Sequence, residues 1–216
     1  MKKILLIACM AGSFLISCEK DPDMGELDAN LVVYTDYDSN TDFSSFKTYF
    51  LPDSILEANG VHSSYWKDDN AQTLIKEVEC QMNNRGYTRL TDPEQKENAD
   101  LGVQLSYIAQ TTQVITGGGY WGDPFMGWWN YGFWGPWWGG WYYPYPVTYS
   151  YDTNALVLEI VNLTNKEEKN GKKQLPVVWY VSASGFKFYN SKVNMQLLLE
   201  GIDQAFAQSS YIGLEK

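Results

Sequence analysis

Between Asp123 and Asp152 the chain carries no charged residue, and this stretch limits what it can fold into more than any other. Tyr120 to Tyr151 holds seven Trp, two Phe and seven Tyr, which is 16 of the 34 aromatic residues. Nine of the 18 glycines fall within Gly117 to Gly140, and Pro124, Pro136, Pro144 and Pro146 are half of the prolines. Glycine in a helix interior costs about 1 kcal/mol and proline about 3 kcal/mol, and proline also removes a donor from any strand ladder. The segment therefore reads as a loop insertion over 117–151, longer than a plain connection in a compact domain. Regular structure has to come from the sequence on either side.

Three roles are open to the insertion. Its rings can bury among themselves or against a sheet. Trp121, Trp128, Trp129, Trp134, Trp137, Trp138, Trp141, Tyr142 and Tyr143 can instead grip a partner, an envelope protein for example, or rest at a membrane interface. The same rings also suit the faces of sugars, with tyrosine hydroxyls and Asn130 as polar handles.

The flanks show two periodicities. Leu31 to Tyr37 and Phe46 to Leu51 are rich in β-branched and aromatic residues and read as strands. Ala71, Leu74, Ile75, Val78 and Met82 form one helical stripe, which predicts a helix over 70–85 capped by Asp69 or Asn70 and stopped by Gly86. Leu101, Val103, Leu105 and Tyr107 alternate with Gly102, Gln104 and Ser106, the pattern of a strand with one wet face. Residues 155–163 and 177–186 supply two more strands, the first with Leu156, Leu158 and Ile160 inward and Val157, Glu159 and Val161 outward. Between them lies a charged hairpin loop containing Asn170-Gly171. Residues 192–208 form a second amphipathic helix. The expected fold is α+β: a mainly antiparallel sheet of about five strands, two helices on one face, and the long insertion.

At the N-terminus, Met1-Lys2-Lys3 precedes the apolar run Ile4 to Met10. That run is too short to span a bilayer and has the layout of an export signal. Leu15-Ile16-Ser17-Cys18 resembles the bacterial lipobox, which implies cleavage before Cys18 and acylation of its thiol and new amine. Residues 1–17 are thus the expected signal peptide. Each buried methylene contributes about 0.8 kcal/mol, so two or more chains anchor durably. The lipid bilayer is therefore a partner through acylated Cys18. Residues 18–30 read as an acidic tether, and Glu19-Lys20-Asp21-Pro22-Asp23 resembles a surface-export signal of some Gram-negative bacteria. The expected location is the outer membrane, in either leaflet.

Losing the signal removes Lys2 and Lys3 and shifts the net charge from −10 to −12. Such an acidic chain is a poor match for nucleic acid, whose phosphates demand a basic surface. The chemistry of catalysis is thin. Cys80 is the one cysteine left after Cys9 departs and Cys18 is acylated; it falls off the helical stripe, beside Glu77 and Glu79, with no base to activate it. His62, the only histidine, reads as a loop residue, and no nucleophile elbow or phosphate loop is present. Asp68-Asp69 reads as a helix start and Glu167-Glu168 as a solvated turn, not as carboxylates opposed across a cleft. No catalytic residue, cofactor or metal site is expected. Asp53-Ser54-Ile55 resembles a bacterial O-glycosylation tripeptide, which makes Ser54 a candidate acceptor.

Three blocks carry a family resemblance: Asp42-Phe43-Ser44-Ser45-Phe46-Lys47-Thr48-Tyr49; Arg85-Gly86-Tyr87 with Asn98-Ala99-Asp100-Leu101-Gly102-Val103; and Leu156 to Leu163 with Val177-Val178-Trp179 and Ser182-Ala183-Ser184-Gly185. Together they resemble DUF4136, a family of uncharacterised bacterial lipoproteins. The resemblance implies one anchored α+β domain over 31–210 with a Gly- and aromatic-rich insertion, and it supplies no catalytic residues. The expected role is a non-catalytic binding or envelope-structural module that uses the insertion. The alternative is a surface protein that binds or hydrolyses glycans with carboxylates the sequence does not single out.

Overall fold

A computed structural model describes residues 31–59, 62–110, 113–116, 141–142, 144–145, 148–151, 154–165, 167–169, 172–185 and 191–213. Residues 1–30, where the signal peptide, Cys18 and the tether are expected, lie outside them. In chain order the strands are β1 (Val32–Tyr37), β2 (Thr48–Phe50), β3 (Ile55–Asn59), β4 (His62–Trp66), β5 (Thr88–Leu90), β6 (Leu101–Gln110), β7 (Gln113–Thr116), β8 (Trp141–Tyr142), β9 (Thr148–Tyr151), β10 (Ala155–Asn162), β11 (Glu167–Lys169) and β12 (Lys172–Ser184). Helix α1 is Asp69–Asn84 and α2 is Ser191–Gln208.

The fold is α+β, with a larger and more mixed sheet than the sequence pattern predicts. Ten of the described strands join one sheet along the path β1-β12-β10-β6-β2-β5, and β3, β4, β8 and β11 branch from it. The long central pairs, β1–β12, β12–β10 and β10–β6, are antiparallel. β2 runs parallel to β5 and β6, and β3 parallel to β6. Parallel neighbours need a crossover, and α1 lies in the one that links β2 to β5.

The underestimate has a local cause. β5 is only three residues long, and β3–β4 read as loop. Yet Asn59 pairs with His62, which leaves two residues between the strands, and the first of them in the sequence is Gly60, the residue type that two-residue hairpins favour in first place. His62 is therefore a strand residue. Glu167 and Glu168 likewise lie on a strand, paired with Gln174 and Lys173.

Helix α1 follows its stripe: Ala71, Leu74, Ile75, Val78 and Met82 are its buried residues. Its cap is Asp68, one residue earlier than expected, whose carboxylate accepts from the Ala71 N–H at 3.0 Å and the Trp66 indole N–H at 2.6 Å. Gly86 follows the helix at φ 93°, a conformation that favours glycine, and ends it. Both helices bury their stripes in one core with Leu156, Leu158 and Ile160 of β10, Leu101, Val103 and Leu105 of β6, and Trp179 of β12.

The opposite face is not wet. Gln104 is 2% exposed, Glu159 3% and Tyr180 0%, and Ser106, Val157 and Val161 are also buried. The alternation in β6 and β10 places these side chains away from the helices, as expected, but it does not place them in water. Something covers the second face as well.

Candidate functional site

The aromatic insertion enters from the middle of the sheet. β6 and β10 form an antiparallel ladder in which Ala155 pairs with Ile108. Beyond it β7 and β9 pair with the same sense, Gln113 with Tyr151 and Thr116 with Thr148, one residue out of step with the β6–β10 ladder. Residues 117–147 thus fall, along the chain, between the two strands of this second ladder. Within them β8 pairs in parallel with β12, Trp141 beside Leu175 and Tyr142 beside Pro176, and Tyr145 is buried. The insertion is held by backbone pairing at both ends and once in between. Trp121, Trp128, Trp129, Trp134, Trp137, Trp138 and Tyr143 lie outside the described residues, as do the side chains of Trp141 and Tyr142.

The sequence blocks singled out above meet elsewhere, as joints of the fold. One oxygen of the Asp100 carboxylate accepts from the backbone N–H groups of Lys47 and Thr48 at 2.8 and 2.9 Å and from the Thr48 hydroxyl at 3.0 Å. This ties the first block to the start of β6. Burial pushes the Asp100 carboxyl pKa up, but those donors together outweigh it and hold it below its ordinary value. The Tyr87 hydroxyl donates to the Phe43 carbonyl at 2.9 Å, and burial pushes its pKa up to about 12. Arg85 donates to the Phe206 carbonyl at 2.8 Å and sits over that ring, which joins α1 to α2. The Trp179 indole N–H donates to the Ser209 hydroxyl at 2.9 Å, with its ring 4.9 Å from that of Phe206. A further tie closes under α1, where Arg89 pairs with Glu79 at 2.6 Å and donates to the Leu51 carbonyl. These groups pair with one another across elements, an arrangement suited to holding the elements together.

The remaining candidates separate widely. Cys80 is exposed on α1, and its sulfur accepts from the Asn84 amide at 3.5 Å. Ser54 is 8% exposed and is followed by the fully buried Ile55. Among the described residues no group of three or more His, Cys, Asp or Glu side chains could hold a metal ion. Among the same residues no helix is long and apolar enough to cross a membrane.

A mixed sheet with two helices on one face, and an aromatic segment inserted in the chain between two of its interior strands, defines an α+β domain with a long insertion. The family model of DUF4136, a domain of unknown function, matches residues 33–209, and the chain belongs to that family. A crystal structure of a DUF4136 family protein from Bacteroides thetaiotaomicron is 39% identical, with a TM-score of 0.68 over 87% of this chain and 100% of its own. Two PelC dodecamer structures from Paraburkholderia phytofirmans are 12% identical over 84% of this chain and 98% of theirs. Their TM-scores of 0.36 and 0.38 are too low to carry an argument. No curated protein matches the chain.

Proposed function

We propose that this protein is an outer-membrane lipoprotein, held through acylated Cys18, whose domain is a non-catalytic module presenting the aromatic insertion to a partner in the cell envelope. The observation that carries this reading is the seating of the insertion. It is delivered by the central hairpin of a ten-stranded sheet and pinned by β7–β9 and β8–β12 pairing. Binding elements on loops work when a rigid scaffold positions them. Aromatic residues supply large contact area and dominate binding hot spots. The sequence blocks that carry the family resemblance are engaged in holding β2, β6, α1 and α2 together.

The test has two arms. Cross-linking in cells compares the lipidated full chain with a variant lacking residues 117–140, which keeps β7, β8 and β9. Loss of specific cross-linked species is expected, and an unchanged set overturns the reading. Titration of the mature chain with cell-wall and host polysaccharides, followed by Trp fluorescence, tells a glycan partner from a protein one. For the anchor, palmitate labelling should mark the native chain and not Cys18→Ala.

A further inference from the structure

We infer that β1 is a docking edge for a second copy of this chain: two β1 strands pair antiparallel about Tyr34 and continue one sheet into the next. This is independent of what the aromatic insertion binds.

β1 ends the strand path of the sheet, and among the described residues β12 is its one neighbour. In an antiparallel pair, alternate residues turn their backbone groups toward the neighbour and away from it. The Asp38 N–H donates to the Val178 carbonyl at 3.0 Å, in step with the β1–β12 register. Counting back by twos, Asp36, Tyr34 and Val32 bond to β12, whereas Tyr37, Thr35 and Val33 turn their backbone groups outward. One outward donor is already engaged. The Tyr37 N–H donates to the Asp36 carboxylate at 2.8 Å, and the Tyr34 hydroxyl donates to the same group at 3.0 Å. The N–H groups of Val33 and Thr35 meet no acceptor among the described residues.

Apolar surface gathers at the same edge. Val32, Tyr34 and Tyr37 are three of the four exposed large hydrophobic side chains among the described residues. Edge strands are commonly kept short or charged, which prevents pairing. β1 instead has six residues, against three in β5 at the other end of the path, and its one charge, Asp36, is occupied by Tyr37 and Tyr34.

The row of groups is self-complementary, which selects both the occupant and the register. Centred on Tyr34, an antiparallel pair of β1 strands sets Val33 opposite Thr35 of the second copy, and Thr35 opposite its Val33. Both unengaged N–H groups of each copy then find carbonyls. Tyr34 faces Tyr34 of the second copy in the closely spaced kind of cross-strand pair, where aromatic partners attract. Asp36 lies opposite Val32 of the second copy. The two Asp36 positions are then four residues apart along the ladder, about 13 Å, beyond the screening length of about 10 Å in 0.1 M salt. Centring on Thr35 would take the Tyr37 N–H from Asp36, and centring on Asp36 would also set two carboxylates face to face. Pairing of one patch with itself closes as a twofold dimer.

Two measurements on the mature full chain carrying Cys80→Ser test the inference. Under mild oxidation, Tyr34→Cys should give a disulfide between two copies at residue 34, read by peptide mapping. Val32→Cys starts from a more exposed position on the same face but lies about 13 Å from its counterpart, so it should give at least about 10-fold less. Equal yields at the two positions, or none at 34, would overturn the inference. In sedimentation equilibrium the chain should dimerise below about 1 mM, and Thr35→Pro should weaken that dimer at least about 10-fold. This proline removes an outward N–H and no bond to β12, so the urea midpoint should not move. A monomer throughout that range, or a dimer that Thr35→Pro leaves intact, would equally overturn it. If Thr35→Pro does not fold, the contrast between positions 34 and 32 decides.

Discussion

The two faces of the sheet are buried to a similar degree, yet they are built from different residues. On the helix side, Leu156, Leu158, Ile160, Val103, Leu105 and Trp179 meet two amphipathic helices in an apolar core. On the other side, β6 contributes Gln104 and Ser106, β10 contributes Glu159, and β12 contributes Tyr180 and Ser182. The comparison teaches that a polar residue at every second position does not make a strand face wet. It makes a face whose cover must bring hydrogen bonds as well as apolar surface, since a buried polar group left alone costs roughly 1–3 kcal/mol.

The largest effect is expected on the helix side. Trp179→Ala removes a fully buried ring and its bond to Ser209, and should cost about 3–5 kcal/mol in urea-induced unfolding. A loss under 1 kcal/mol would mean that this core is not what fixes β12 to α2. Next comes the opposite face. Val157→Asp should cost about 3 kcal/mol, because a lone charge is being taken out of water. If it stays within about 0.5 kcal/mol of the native chain, that face is wet after all and the comparison collapses.

The β2–β6 joint should respond less. Asp100→Asn replaces an acceptor that serves three donors with an amide, and should cost about 2 kcal/mol. The folded-state pKa of Asp100 is depressed, so its contribution is present above the unfolded carboxylate pKa of about 4 and is lost as pH falls through the folded value. Native stability should therefore drop on acidification below about pH 4, and Asp100→Asn should show a shallower drop. Parallel pH profiles for the two chains would remove Asp100 from that role. Smallest of all, Cys80→Ser on the exposed side of α1 should change stability by less than about 0.5 kcal/mol. A larger change would show that α1 has a third packed surface.

Much of the fold was legible before any coordinates. Both helices were, because their stripes at 71–82 and 198–206 repeat every 3.6 residues over several turns. So were β1, β6 and β10, whose runs are long. β5 was not, since three residues carry no period. β3–β4 was readable only through Gly60, a signal outweighed by the polar run that follows Val61. Of the candidate site, the insertion stood out by composition, but the strands β8 and β9 within its expected bounds of 117–151 did not. Its attachment did not, because nothing in Trp141-Tyr142 names Leu175 and Pro176 as neighbours.

The linear chain by itself determined the α+β class and the helix stripes, because each depends on residues within a few positions of one another. The polarity of strand neighbours, the joining of Asp100 to Lys47 and Thr48, and the burial of Glu159 were decided only in three dimensions. Whether a strand face meets water depends on what lies across from it, and those atoms are set by pairings between residues far apart in the chain.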